Sequence, residues 1–167
     1  MASLAKPSVF ISYSHKDKRW LDRLLEFLEP LKRQGDITLW SDEDLAVGED
    51  WREGVRAALH AAKAAVLLVS PAFLASKYIA NNELPVLLKK ASDQGLTIIP
   101  IIARQCLWAE TTYKFPHPVA GPEELSLATL QAANSPREPL NKLKPHQQDE
   151  LLLSVAQRLM ELIPRNP

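Results

Sequence analysis

Ala64-Ala65-Val66-Leu67-Leu68-Val69-Ser70-Pro71 is the stretch on which the fold turns. An unbroken apolar run stopped by Ser-Pro reads as a central strand with both faces buried. Such a strand needs helices on both sides of a parallel sheet. The flanking sequence supplies them. Trp51, Val55, Ala58, Leu59 and Ala62 precede the run with the spacing of one helix face, and Asp50 or Glu49 is available as N-cap. A helical region over 72–94, ended by Gly95, follows it, and Leu96–Ile102 reads as a further buried strand. Pro100 in that strand belongs where no ladder donor is required.

Toward the N-terminus, Val9-Phe10-Ile11 reads as the first strand. Leu21, Leu24, Leu25, Leu28 and Leu31 then mark a helix that Pro30 should kink or shorten, with Gly35 as its C-cap. Ile37–Trp40 is a second short strand, leading into the acidic loop 41–50. Strand and helix alternate as far as residue 102, and right-handed crossovers leave few topologies. Residues 111–145 hold six prolines and little periodicity, and predict an irregular segment with one short edge strand. Leu151, Leu152, Val155, Ala156, Leu159, Leu162 and Ile163 predict a closing amphipathic helix. The expectation is a single α/β domain over 1–167.

Composition narrows the function. The chain has 167 residues, with 20 Lys+Arg against 20 Asp+Glu, so its formal net charge is zero. That balance argues against a nucleic-acid partner. One cysteine, Cys106, rules out an internal disulfide and a thiolate zinc cluster. Histidines 15, 60, 117 and 146 share no ligand spacing, so no metal is expected. The N-terminal residues lack a signal-peptide pattern, Ala2 excludes myristoylation, and no apolar run approaches the ~20 residues of a membrane span. A cytoplasmic protein without membrane contact is expected.

Three constellations remain. Ser12-Tyr13-Ser14-His15-Lys16-Asp17 follows the first strand, where open α/β sheets bind ligands. It is not a glycine-rich phosphate loop, and either Ser14 or Asp17 suffices as the cap of the next helix. Asp42, Asp44 and Glu53 fall at calcium-loop positions, but Ala46 and Val47 stand where a ligand and a turn glycine are required. Glu83 precedes Pro85 near the start of a helical segment, from which it can meet the Ser12–Asp17 loop across the strand ends. By itself such a carboxylate reads first as an ordinary acid at a helix N-terminus. No GxSxG elbow is present, and Cys106 has no partnered histidine nearby.

Together these boxes resemble Toll/interleukin-1 receptor (TIR) domains of the bacterial type. Val9 to His15 is similar to the first box. Leu39 to Gly48, followed by Trp51, resembles the BB loop and the start of the next helix. Val66 to Pro71 with Phe73-Leu74-Ala75-Ser76, and Ile98 to Ile102 with Trp108, match later elements, so the likeness covers about residues 7–163. The resemblance implies a flavodoxin-like, doubly wound parallel sheet of order 2-1-3-4-5. It also implies one of two activities in immune, antiphage or cell-death type signalling. Some TIR domains cleave NAD⁺ between nicotinamide and ribose, giving ADP-ribose or a cyclic variant. Others are non-catalytic scaffolds that act by TIR–TIR interaction. The enzymatic reading is preferred, with NAD⁺ as substrate and no cofactor.

Glu83 matches the family's catalytic glutamate. The family usually has an aromatic four positions earlier; here that residue is Ile79, and Tyr78 is the nearest ring. By resemblance Ser14 and His15 contact the phosphate or ribose side, Asp42 and Leu45 form the BB-loop wall, and Phe10 and Tyr78 shape the pocket. Activity is expected to depend on self-association, which zero net charge does not oppose. With no recognisable sensor or receptor domain, the chain fits a fragment of a longer signalling protein. A flavodoxin-like electron carrier or response regulator is disfavoured, since the third strand ends on Ser70 rather than Asp.

Overall fold

The computed structural model describes residues 8–34, 38–40, 51–117 and 121–163. Strand β1 (Ser8–Ser12) is followed by a short 3-10 turn and helix α1 (Lys18–Arg33). Strand β2 (Thr38–Trp40), helix α2 (Trp51–Ala61) and strand β3 (Ala62–Val69) come next. Helix α3 (Pro71–Ala75) is a single turn, and helix α4 (Leu84–Gln94) leads into strand β4 (Thr97–Ile102). Strands β5 (Thr112–His117) and β6 (Gly121–Ser126) precede helix α5 (Pro145–Leu162). Residues 35–37, 41–50 and 118–120 lie outside the described part, and with them Gly35, the acidic loop and the N-cap candidates Glu49 and Asp50.

Four strands form one parallel sheet in the order β2-β1-β3-β4. Alternation along each strand sorts the core into two layers. Val9, Ile11, Ala64, Val66, Leu68, Ile99 and Ile101 pack against α1 and α5 on one face. Phe10, Ala65, Leu67, Val69, Ile98 and Ile102 meet α2, α3, α4 and the β5–β6 ribbon on the other. The apolar run 64–69 is therefore buried on both sides, every residue of it at 0% exposure.

The fifth place of the expected order is not taken by a strand among the described residues. Pro100 cannot donate, and its carbonyl faces the outer edge of β4, where it accepts from the N–H of Ala133 at 2.8 Å. Two residues on, the Asn134 side chain stands in for a neighbouring strand. It accepts from Ile102 N and donates to Ile102 O, both at 2.9 Å. An irregular segment thus closes this part of the edge.

The single edge strand expected in 111–145 is corrected as well. This region forms an antiparallel two-stranded ribbon, with Thr112 opposite Ser126 and His117 opposite Gly121. Tyr113 and Phe115 point into the second core layer while Lys114 between them is exposed. That two-residue alternation is a strand signal hidden among prolines.

Prolines also shape the helices. Pro30 does not end α1, which continues to Arg33 and buries Leu31. The helical region expected over 72–94 is broken instead. Ser76 takes an extended conformation, and Ile79–Glu83 then forms a wide π turn in which Leu84 N bonds Ile79 O. Pro85 has no N–H for the carbonyl four residues back and its ring would clash there; widening the turn relieves both problems. At the far end Gly95, with φ 69°, closes α4 in the left-handed region.

Tyr113 supplies a measurable consequence of this packing. Burial, with a smaller contribution from Cys106, pushes its phenol up from 10.0 to about 12. Its hydroxyl is buried and has no hydrogen-bond partner among the described residues. Because the folded value is raised, the stabilisation linked to this proton is complete below pH 10 and is lost as the pH climbs toward about 12. Ultraviolet titration should show one of the three tyrosines ionising late, together with unfolding. Tyr113→Phe should abolish that late step and leave the neutral-pH melting temperature unchanged or slightly higher, since no bond is lost.

Candidate functional site

In a sheet of order β2-β1-β3-β4, the connections leaving β1 and β3 diverge to opposite faces. The chain passes from β1 to α1 on one side and from β3 to α3 and α4 on the other. A crevice opens between two such connections beyond the carboxyl ends of the strands, and ligands of open α/β sheets bind there. Two buried serine–carboxylate pairs bridge it.

The first pair joins Ser12, the last residue of β1, to Glu83, 71 positions later in the π turn. Ser12 Oγ donates to Glu83 Oε1 at 2.7 Å, with Ser12 1% and Glu83 2% exposed. The π turn makes this contact possible. It carries Glu83 on the face that buries Ile79 and Leu84, rather than on the solvent side with Asn81 and Asn82. The second pair joins Asp17 to Ser70. Ser70 Oγ donates to Asp17 Oδ2 and accepts the Phe73 N–H at 3.0 Å, so the cap of α3 is tied to the start of α1. Asp17 stands at the N-cap position of α1 but makes no side-chain cap bond there.

The remaining candidates are scattered. Ser14 caps the 3-10 turn through Lys16 N at 3.4 Å and is half-buried. His15 is exposed, its ring edge-on to Tyr13 at 5.7 Å between centroids. Phe10 lies inside the second core layer at 1% exposure, a floor residue rather than an open wall. Tyr78 lines a separate cleft of about 590 Å³ between α2 and the π turn, and Glu83 is not among that cleft's lining residues. Asp42 and Leu45 lie outside the described residues. Of the proposed set, then, Glu83 is seen joined to Ser12 at the end of β1. Ser12, Asp17 and Ser70 complete the bridge, and no local spacing signals these partners.

Among the described residues no three His, Cys, Asp or Glu side chains are grouped as metal ligands. Burial raises the Cys106 thiol above 9.0, which makes it a poor nucleophile. No helix among the described residues is long and apolar enough to cross a membrane.

The TIR domain family matches residues 9–139, from the first strand through the segment that closes the β4 edge. The chain belongs to the TIR domain family. A relative, the uncharacterized protein y4lF of Sinorhizobium fredii, is 33% identical over 139 residues, covering 79% of this chain and 43% of that protein. The TIR chain described here therefore spans less than half the length of that relative. The crystal structure of the TIR domain of the Toll-related receptor TRR-2 from Hydra magnipapillata aligns with 59% of this chain and 71% of its own. The identity is 26% and the TM-score 0.42. A TIR domain is a signalling module, and its first box, Val9 to His15, ends at the strand-end crevice.

Proposed function

We propose that this TIR domain cleaves NAD⁺ at the bond between nicotinamide and ribose. The observation that carries the reading is the Ser12–Glu83 bridge, which sets a shielded carboxylate at the switch point of the sheet. Nicotinamide leaves NAD⁺ as a neutral base, so its departure needs no general acid. Positive charge develops on an oxocarbenium-like ribose, as in glycoside hydrolysis. A fixed anion in a site poor in water stabilises that charge, and Ser12 holds one oxygen of the carboxylate in place. Ser14 and His15, at the mouth of the same crevice, are the proposed contacts to the phosphate or ribose side.

Glu83 is 2% exposed, so a substrate reaches it only after the crevice opens. TIR domains commonly associate with other TIR domains, and a contact between copies is a source of that opening. The decisive experiment incubates the full chain with NAD⁺ over a range of protein concentrations and follows nicotinamide by chromatography, with light scattering in parallel. Release whose specific rate rises with assembly supports the proposal. No release at high concentration, with or without crowding agents, favours the second reading, a non-catalytic TIR scaffold.

Ser12→Ala provides a finer test. Losing one hydrogen bond to a charged group weakens the hold on the carboxylate by about 1.5–3 kcal/mol. Nicotinamide release should slow by about one to two powers of ten, mainly in kcat, because Ser12 positions Glu83 without reaching solvent itself.

A further inference from the structure

Segment 71–83 is the wall of the crevice that carries Glu83, and it is built from short pieces. The single turn of α3 ends at Ser76, which is extended, and the π turn follows. Pieces this short hold little helical stability of their own, so their position is set by what ties them to the rest of the fold. Phe73 and Ile79 plant them in the second core layer. The opposite wall is of another kind. Helix α1 runs for 16 residues and buries Trp20, Leu21, Leu24, Leu28 and Leu31. When the crevice opens, the jointed wall is the one that moves.

Two side-chain bonds tie that wall across the crevice, one at each end of it. Glu83 accepts from Ser12, whose backbone is fixed in the sheet in register with Leu67. Ser70 donates to Asp17 and with the same oxygen accepts the Phe73 N–H. One hydroxyl thus serves the bridge and the N-cap of α3 together, and Asp17 fixes the rotamer on which that cap depends. Asp17 stands where α1 would use a capping side chain, yet it makes no cap bond. It is 2% exposed, beside a serine at 0%. A buried carboxylate is costly to leave unpaired, so the pair holds while the wall is in place and parts when water reaches it.

We infer that the Asp17–Ser70 pair is a latch, which holds segment 71–83 against the β1–α1 connection and keeps Glu83 covered. As an inhibitory contact it rests on the NAD⁺ reading of the same site; as the cover of Glu83 it does not. Losing one hydrogen bond to a charged group should shift the closed-to-open ratio by about one to two powers of ten.

Asp17→Ala is the variant of choice, because it removes the latch and no cap bond. The full chain is treated with a carbodiimide and glycine ethyl ester under native conditions, and the label on Glu83 is read by peptide mass spectrometry. In the parent, Glu83 should label far more slowly than the exposed Asp22 and Glu161. Asp17→Ala should speed the labelling of Glu83 at least about tenfold and leave Asp22 and Glu161 as they were, with the folded circular dichroism spectrum retained. Ser70→Ala, which loses the cap as well, should label at least as fast. The double variant should label no faster than Ser70→Ala, since both changes break the same bond. Asp17→Asn keeps an oxygen for Ser70, should lie between the parent and Asp17→Ala, and keeps the test open where an alanine variant does not fold. At protein concentrations where the parent is unassembled, the latch variants should release nicotinamide faster than the parent.

Parental labelling of Glu83 in folded Asp17→Ala would overturn the latch, whatever the activity does. So would effects of the two alanine changes that multiply in the double variant. Faster labelling with slower nicotinamide release would overturn the inhibitory role and make the pair a support of the working site. Faster labelling with no release from any variant, or from the parent at high concentration, would uphold the latch as the cover of Glu83 and place the failure in the NAD⁺ reading.

Discussion

Glu83→Gln is expected to remove nearly all nicotinamide release while leaving the fold in place. Glutamine keeps the volume of the side chain and an oxygen that can accept from Ser12 Oγ, so the bridge to β1 survives in neutral form. A carboxylate only 2% exposed gains little from hydration, and its neutralisation removes a desolvation cost as well as a charge. The melting temperature should therefore stay within a few degrees of the parent. The reaction loses what it depends on. One preorganised charge aimed at a developing cation is worth about 10²–10³ in rate. Among the described residues the other buried carboxylate at the crevice is Asp17, which is bonded to Ser70. A kcat that falls by that factor with little change in KM is the expected kinetic signature, because the amide still fills the site. Near-parental release from a normally folded variant would show that a different carboxylate does the work.

Lys90→Met should have the largest effect on stability. Lysine has three N–H donors, and here each reaches a carbonyl of the α2–β3 junction. Burial, and secondarily the charge of Lys63, holds this ammonium below its usual 10.5, so the bonds are made against a desolvation cost. Methionine fills the space of the stem but donates to none of the three carbonyls, two of whose bonds are buried and one part-buried. At about 1 kcal/mol or more for each, the loss is on the order of 3 kcal/mol. For a chain of this length that corresponds to a fall of about 6–12 °C in melting temperature. Thermal unfolding followed by circular dichroism checks it. Lys90→Arg, which keeps the charge but not the compact three-way geometry, should recover only part of the loss.

These two residues show where local sequence carries information and where it does not. The strands and helices were legible because each imprints its own period. The continuous apolar run 64–69 and the leucine stripe of α1 can be read without knowing what they pack against. Glu83 was legible through its place in a recognisable box and its distance from Pro85. Lys90 was not, because one lysine on an amphipathic helix looks the same whether its stem ends in water or under the end of another helix. The β5–β6 ribbon was half legible, since Tyr113, Lys114 and Phe115 alternate correctly while the surrounding prolines mask the signal.

By itself, then, the sequence determined the alternation of elements, the double burial of β3 and membership in the TIR family, and it singled out Glu83 as the carboxylate to propose for chemistry. Tertiary structure decided which side chains meet. Ser12 finds Glu83 across 71 positions and Ser70 finds Asp17 across 53. Lys90 reaches back about 30 residues to the end of α2. The physical reason is that periodicity records how a segment divides its side chains between core and water, which is a property of that segment alone. Partnership across the crevice depends on strand order, on the crossovers that bring β1 beside β3, and on a π turn that Pro85 forces one residue wide. Each of these is set by the packing of all the elements at once.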